Sequence, residues 1–241
     1  MARIFLAGAS GAIGQRLVPL LVKAGHRVVG TTRSKAKTAL LRSLGATPVV
    51  VDVFDAEALR RLVVSDEPQV VIHQLTTLPD DFSSLVDAAM ERALRDNARI
   101  RTEGTANLVA AALAAGARRL VAQSIAWIYA PGHEPHVETD PVNTGASGLA
   151  AITVPGVMAL EAAVLGAPLE GVVLRNGGLY GPGTGRDTVW RDPAVHVDAA
   201  AHAAALAVDR GSGVYNVAEP SRYVSSERAR RELGWSPDFR V

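Results

Sequence analysis

The sequence predicts an α/β chain built on a parallel sheet with helices on both faces. Two observations lead there. Short apolar, β-branched runs alternate with helical stretches through most of the chain, and runs of that kind are covered on both faces. Between the first run and the first helix stand Gly8, Gly11 and Gly14, spaced G-x-x-G-x-x-G. Right-handed crossovers then give a doubly wound sheet, α/β in class.

Ile4 to Ala7 is apolar, too short for a helix and set against a glycine, so it reads as a buried strand. A helix follows from Ala12 to about Ala24, with Pro19 expected to kink it or break its hydrogen-bond ladder. Strand His26 to Thr31, helix Ala36 to Leu44, strand Thr47 to Asp52, helix Asp55 to Ser65 and strand Gln69 to Gln74 continue the alternation. A helix-prone region from about Asp81 to Ala115 leads to strand Arg119 to Ser124. Ala130 to Gly148 is rich in Pro, Gly, Asn and Asp and reads as a long loop near the carboxyl ends of the strands. A helix from about Gly156 to Leu165, strand Gly171 to Asn176, a helix ending at Val208, strand Val214 to Asn216 and a helix near Ser225 to Leu233 complete the chain.

With 241 residues, 48% of them hydrophobic and 20% charged, residues 1–241 are expected to form one domain. The 25 basic and 24 acidic residues balance to +1, which suggests neither a nucleic-acid nor a membrane partner. Without cysteine there is no disulfide, thiolate catalyst or cysteine metal site. No apolar run approaches about 18 residues, and the chain enters its first strand at once, so a cytoplasmic protein without signal peptide is expected.

The glycines carry the first functional reading. They allow a tight turn and close backbone approach to a pyrophosphate, whose charge the helix N-terminal N–H groups stabilise. Gly8, Ser10, Gly11, Ala12, Ile13 and Gly14 are therefore expected to hold a dinucleotide. NAD-selective sites place an acid about 20 residues beyond the glycines, whereas arginine suits the 2′-phosphate of NADP. Here the second strand ends Thr31-Thr32-Arg33-Ser34-Lys35. Arg33 therefore favours NADP over NAD, a solvated basic turn being the alternative.

The residues resemble the extended short-chain dehydrogenase/reductase family, in its NAD-dependent epimerase/dehydratase branch. The resemblance rests on the glycine turn, Asp52-Val53, Gly104-Thr105-Ala106-Asn107-Leu108, Ser124, Leu174-Arg175, Tyr180-Gly181-Pro182-Gly183, Val195-His196-Val197-Asp198, Tyr215-Asn216-Val217 and Ala229 to Trp235. It implies a Rossmann fold and a nicotinamide cofactor. It also places Asp52 on the adenine, Asp52 as a cap for the following helix being the alternative. Val53, Gln74, Leu75 and Thr76 would line the cofactor channel, although Gln74 equally suits an ordinary polar loop. Gly177 and Gly178 would edge the nicotinamide. Ser124 matches a serine that hydrogen-bonds a substrate carbonyl, with satisfaction of a backbone group as the alternative. Tyr129 is a candidate substitute acid, or a pocket wall together with Trp127.

The family's catalytic pair is Tyr-x-x-x-Lys, with a glutamate eight residues past the tyrosine. Aligning that glutamate on Glu161 puts Thr153 and Val157 at the pair's positions, and neither supplies an acid tuned by a cation. The stretch between Gly-Pro-Gly and His-Val-Asp, and the tail, are shorter than is usual in the family. The substrate lobe is thus much reduced, confined to about 177–195 and 216–241, and its pocket either open or completed by a second subunit as a homodimer. His133, His136, Glu138 and Asp140 lie on a loop and read as solvated rather than metal-binding. His73 reads as a satisfied core histidine, and His196 as structural. The expected function is an atypical NAD(P)-binding oxidoreductase acting on a small carbonyl or hydroxyl compound. The alternatives are a cofactor-binding sensor or interaction module, and a non-redox cyclisation or dehydration that reuses the pocket.

Overall fold

The computed structural model describes residues 1–79 and 84–241. Seven parallel strands form one sheet: β1 (Arg3–Ala7), β2 (Arg27–Thr32), β3 (Thr47–Val50), β4 (Val70–His73), β5 (Arg119–Ile125), β6 (Glu170–Asn176) and, last in sequence, β9 (Gly213–Val217). Their order is β3-β2-β1-β4-β5-β6-β9, so the winding reverses between β1 and β4. Ligands bind at the carboxyl ends of strands flanking such a switch point. Residues β7 (Gly178–Tyr180) and β8 (Ala194–His196) pair separately beside the main sheet. At three residues each, they carry too little pattern to be read from the sequence.

The helices are α1 (Ala12–Lys23), α2 (Thr38–Ser43), α3 (Ala56–Asp66), α4 (Asp87–Arg99), α5 (Thr105–Ala114), α6 (Leu149–Leu165) and α7 (Val197–Leu206). Two apolar layers sandwich the sheet. One includes Ile4, Leu6, Leu17, Leu21, Val121 and the alanine face of α7. The other includes Phe5, Val71, Leu120, Leu108 and Leu160. Alternate residues of β1 enter opposite layers, as a strand covered on both faces requires.

Several boundaries differ from the sequence reading for physical reasons. With Pro19 inside it, α1 runs to Lys23, one residue short of the expected end. The predicted start at Asp81 lies outside the described residues. From Asp87 the helix is joined to α5 by a π turn, Ile100–Gly104, rather than running straight on. α6 starts at Leu149, not Gly156, and carries Pro155 nearly two turns in. Gly156 is needed for packing instead: a Cβ there would lie 3.1 Å from the Ala98 Cα, so the absent side chain lets α4 and α6 approach. The tail forms a π turn over Ala229–Leu233. His136, expected in a solvated loop, is buried, stacked on Tyr129 with ring centroids 5.0 Å apart and bonded to Asp140 at 2.9 Å.

Candidate functional site

The glycine turn lies at the switch point, against β4. Gly8 has φ of +90°, and a Cβ on it would sit 2.5 Å from the Gln74 carbonyl oxygen. A Cβ on Gly14 would run into Gly8 and Ala9 backbone. Both glycines are therefore dictated by the protein's own packing. Gly11 differs: an added Cβ would meet only the Gly8 oxygen at 3.4 Å. That position faces open space, as a cradle for a pyrophosphate should. Gly11 also caps α1 without a side-chain hydrogen bond, and the first turn holds no acid, leaving donors and the positive helix end for an anion. Ala12 and Ile13 form that turn, Ile13 sinking into the core. A cavity of about 200 Å³ opens beside it, lined by Ala12, Gln15, Arg16, Leu44, Pro182 and Gly183. Gln74 is 4% exposed, yet both ends of its amide lack partners among the described residues. Buried polar groups are rarely left so, and this orphaned amide beside Gly8 fits a dinucleotide.

At the end of β2, Thr31 accepts from the Gly8 N–H at 3.2 Å and Ser10 donates to Thr32 at 3.2 Å. Arg33 is exposed next to these hydroxyls. Asp52 is exposed and accepts from the Phe54 N–H at 3.0 Å, while Asp55 caps α3 by accepting from Ala58 at 2.9 Å. Val53 is buried, and its carbonyl accepts from Asn107 at 2.9 Å. The Leu75 N–H donates to His73 Nδ1 at 3.2 Å, and Thr76 donates to Asn97 at 2.9 Å.

Deeper in the crevice lies a buried polar network. Arg175 pairs with Glu161 through Nη2–Oε2 at 2.7 Å and Nε–Oε1 at 3.0 Å. The Ser124 hydroxyl donates to Glu161 Oε1 at 2.7 Å, so its single proton is committed to that carboxylate. Tyr129 donates to Asn216 at 2.6 Å and accepts from Arg175 at 2.8 Å. Burial raises the Tyr129 pKa, opposed by Arg175. Burial acts to lower that of Arg175, but bonding to Glu161 and then Tyr129 outweighs it and leaves the value raised. The two residues singled out for catalysis are thus held in one network.

The wall beside them is apolar. Ile125, Ile128, Val154 and Val157 form a buried cluster, with Trp127, Val142 and Ala146 against it. Val157 is fully buried, and the Thr153 hydroxyl turns back to the Leu149 carbonyl at 3.3 Å. Arg191 lies over Trp127 at 4.0 Å and over Trp190 at 5.1 Å. Gly177 and Gly178 are tightly placed: a Cβ on the first would meet the Ala194 backbone at 2.6 Å, and on the second the Arg191 side chain at 2.6 Å.

His73 is satisfied as expected, with Nε2 bonded to Thr105 at 3.0 Å and Nδ1 accepting from Leu75 at 3.2 Å. Burial, then the nearby Arg101 charge, lowers its pKa to about 4, so the ring is neutral. His196 caps α7, accepting from the Asp198 N–H at 3.2 Å. Among the described residues, no helix is long and apolar enough to cross a membrane. Sequence reasoning missed Asn97, Arg101 and Arg191. A polar residue every fourth position along an otherwise apolar helix face, 97-101-105, was the available signal for the first two.

A model of the NAD dependent epimerase/dehydratase family matches residues 4–238. The chain is 45% identical over 191 residues to the 3-diazoavenalumate denitrifying reductase of a Streptomyces species, covering 76% of this chain and 58% of that protein. It thus spans less than two thirds of that relative's length. Among solved structures, the Thermotoga maritima UDP-glucose 4-epimerase with UDP-glucose superposes with a TM-score of 0.77 at 19% identity, covering 99% of this chain and 94% of the other. The Bordetella bronchiseptica enzyme WbmG in complex with NAD gives 0.76 at 19% identity, covering 100% and 90%. At that identity the likeness is one of fold. The family is shown by the match along nearly the whole chain: the chain belongs to the NAD dependent epimerase/dehydratase family.

Proposed function

We propose that the chain is a nicotinamide-dependent reductase whose electrophile takes no proton from the protein, a diazo compound being the substrate class. One observation carries this reading: Val157, at the position aligned with the pair's lysine, is packed into a buried cluster with Ile125, Ile128 and Val154, in a chain whose glycine turn is fit for the cofactor. None of the four tyrosines is followed by a lysine four positions on, and a general acid matters only to a reaction that consumes its proton. A carbonyl needs one. When bound, a reduced nicotinamide supplies a hydride, and hydride replacing dinitrogen on a diazonium carbon balances charge and atoms without an acid. The 45% identical relative is named as a denitrifying reductase of a diazo compound, which supports this class. Gly11 and the start of α1 would hold the pyrophosphate, and Arg33 the 2′-phosphate, making NADP the preferred form. Ser124 and Tyr129 then serve by fixing the Glu161–Arg175 pair rather than by giving up protons.

The test incubates the protein with NADPH or NADH and benzenediazonium, following cofactor oxidation and gas release. One dinitrogen per cofactor oxidised is expected, with no comparable turnover of ketones. Tight cofactor binding without turnover of any electrophile would sink the reading and put the sensor role ahead.

A further inference from the structure

We infer that Arg101 is an anion anchor for a carboxylate on the substrate; this rests on the reductase reading above. Asn97, Arg101 and Thr105 follow one another at four-residue spacing across the π turn Ile100–Gly104. Asn97 Oδ1 accepts from the Thr76 hydroxyl at 2.9 Å and from the Thr77 N–H at 3.2 Å. Thr105 bonds to His73 at 3.0 Å. The two flanking residues thus grip both ends of the segment 73–77 that leaves β4 at the switch point, and Arg101 stands between them. On its other side is α6. Ala98 lies against Gly156, and the Glu161 charge acts on Arg101.

Among the described residues Arg101 makes no hydrogen bond and no ion pair. Glu161, the acid that acts on it, is already committed to Arg175 and Ser124. Burial lowers the Arg101 pKa to about 10, with Glu161 opposing. Arg101 is partly buried, and an anion supplied from outside would complete a cation that has no partner among the described residues. The cofactor's own phosphates have other candidate holders, at Gly11 and Arg33. That leaves the substrate. In the same segment the Thr77 hydroxyl is buried without a partner among the described residues, a donor available to an incoming carboxylate. A guanidinium suits that group, which it meets with two parallel hydrogen bonds.

The experiment measures binding, not turnover. The full chain, saturated with whichever of NADPH or NADH it binds more tightly, is titrated by calorimetry with 4-hydroxycinnamate and with its methyl ester. The acid should bind at least about tenfold more tightly than the ester, the scale of one charge-assisted contact. R101Q should bring the acid down to the ester's level and leave cofactor affinity unchanged, while R101K retains part of the preference. The R101Q unfolding midpoint should hold or rise, because a partly buried charge without a partner is gone. Equal binding of acid and ester, no saturation by either below about 10 mM, a fall in the R101Q midpoint, or equal loss of cofactor and acid in R101Q would each overturn the anchor. Because no hydride moves, the reductase reading fails or stands separately: a charge-selective pocket without diazonium turnover removes that reading alone.

Discussion

Ser124 and Glu161, 37 residues apart in sequence, meet through a 2.7 Å hydrogen bond that commits the serine proton to the carboxylate. The same carboxylate takes two hydrogen bonds from Arg175. The strand end that was expected to orient a substrate oxygen is thereby tied to α6, and Tyr129 is tied to Arg175 in turn.

Breaking that pair from one side should be costly. Glu161→Ala leaves Arg175, 4% exposed, without its counter-charge, and removing one partner of a buried pair costs about 3–5 kcal/mol. Adding Arg175→Met should recover much of the loss, because the orphaned charge goes with it. Urea unfolding of the single and double variants measures both. A double variant no more stable than Glu161→Ala would refute the argument.

Gly11→Asp should fold normally and lose the dinucleotide. An added Cβ at Gly11 has room, while a carboxylate there repels a pyrophosphate. Gly8→Ala should instead destabilise the fold, since its φ of +90° and the Gln74 carbonyl both exclude a side chain. Calorimetry with NAD(P)H and thermal unfolding separate the two effects.

Arg33→Ala should weaken NADP(H) by about 1–3 kcal/mol, the range for losing a charge-assisted hydrogen bond. NAD(H) should change little. An equal loss for both cofactors would show that Arg33 does not read the 2′-phosphate.

Val157→Lys places an ammonium among Ile125, Ile128 and Val154. We expect a loss of several kcal/mol in unfolding free energy, as for burial of an unpaired charge. Thr153→Tyr, at a partly exposed site, should cost much less. If the double variant is stable and reduces ketones, the wall is less committed than its packing indicates.

His73 sets a direction for acid sensitivity. Its folded pKa is lowered to about 4 by burial and by Arg101. The neutral ring's contribution is complete above the unfolded pKa of about 6.5 and is lost as pH falls towards 4, about 3 kcal/mol in total. Stability measured across that window should drop, and His73→Gln should flatten the drop.

The sequence alone determined the alternation of strands and helices, the switch-point glycine turn and the place of His73 in the core, because each depends on local spacing or on a run buried on both faces. It also held the family signature from the glycines to Trp235. Tertiary structure decided the rest. Ser124 reads as a substrate ligand until Glu161 arrives from another element and takes its proton. His136 reads as a loop residue until Tyr129 and Tyr223 close over it. Arg101 is one basic residue among 25 until the π turn sets it, partly buried, between Asn97 and Thr105. Local pattern fixes which face of an element is apolar. Which partner a polar group finds depends on contacts tens of residues apart, and only packing brings those together.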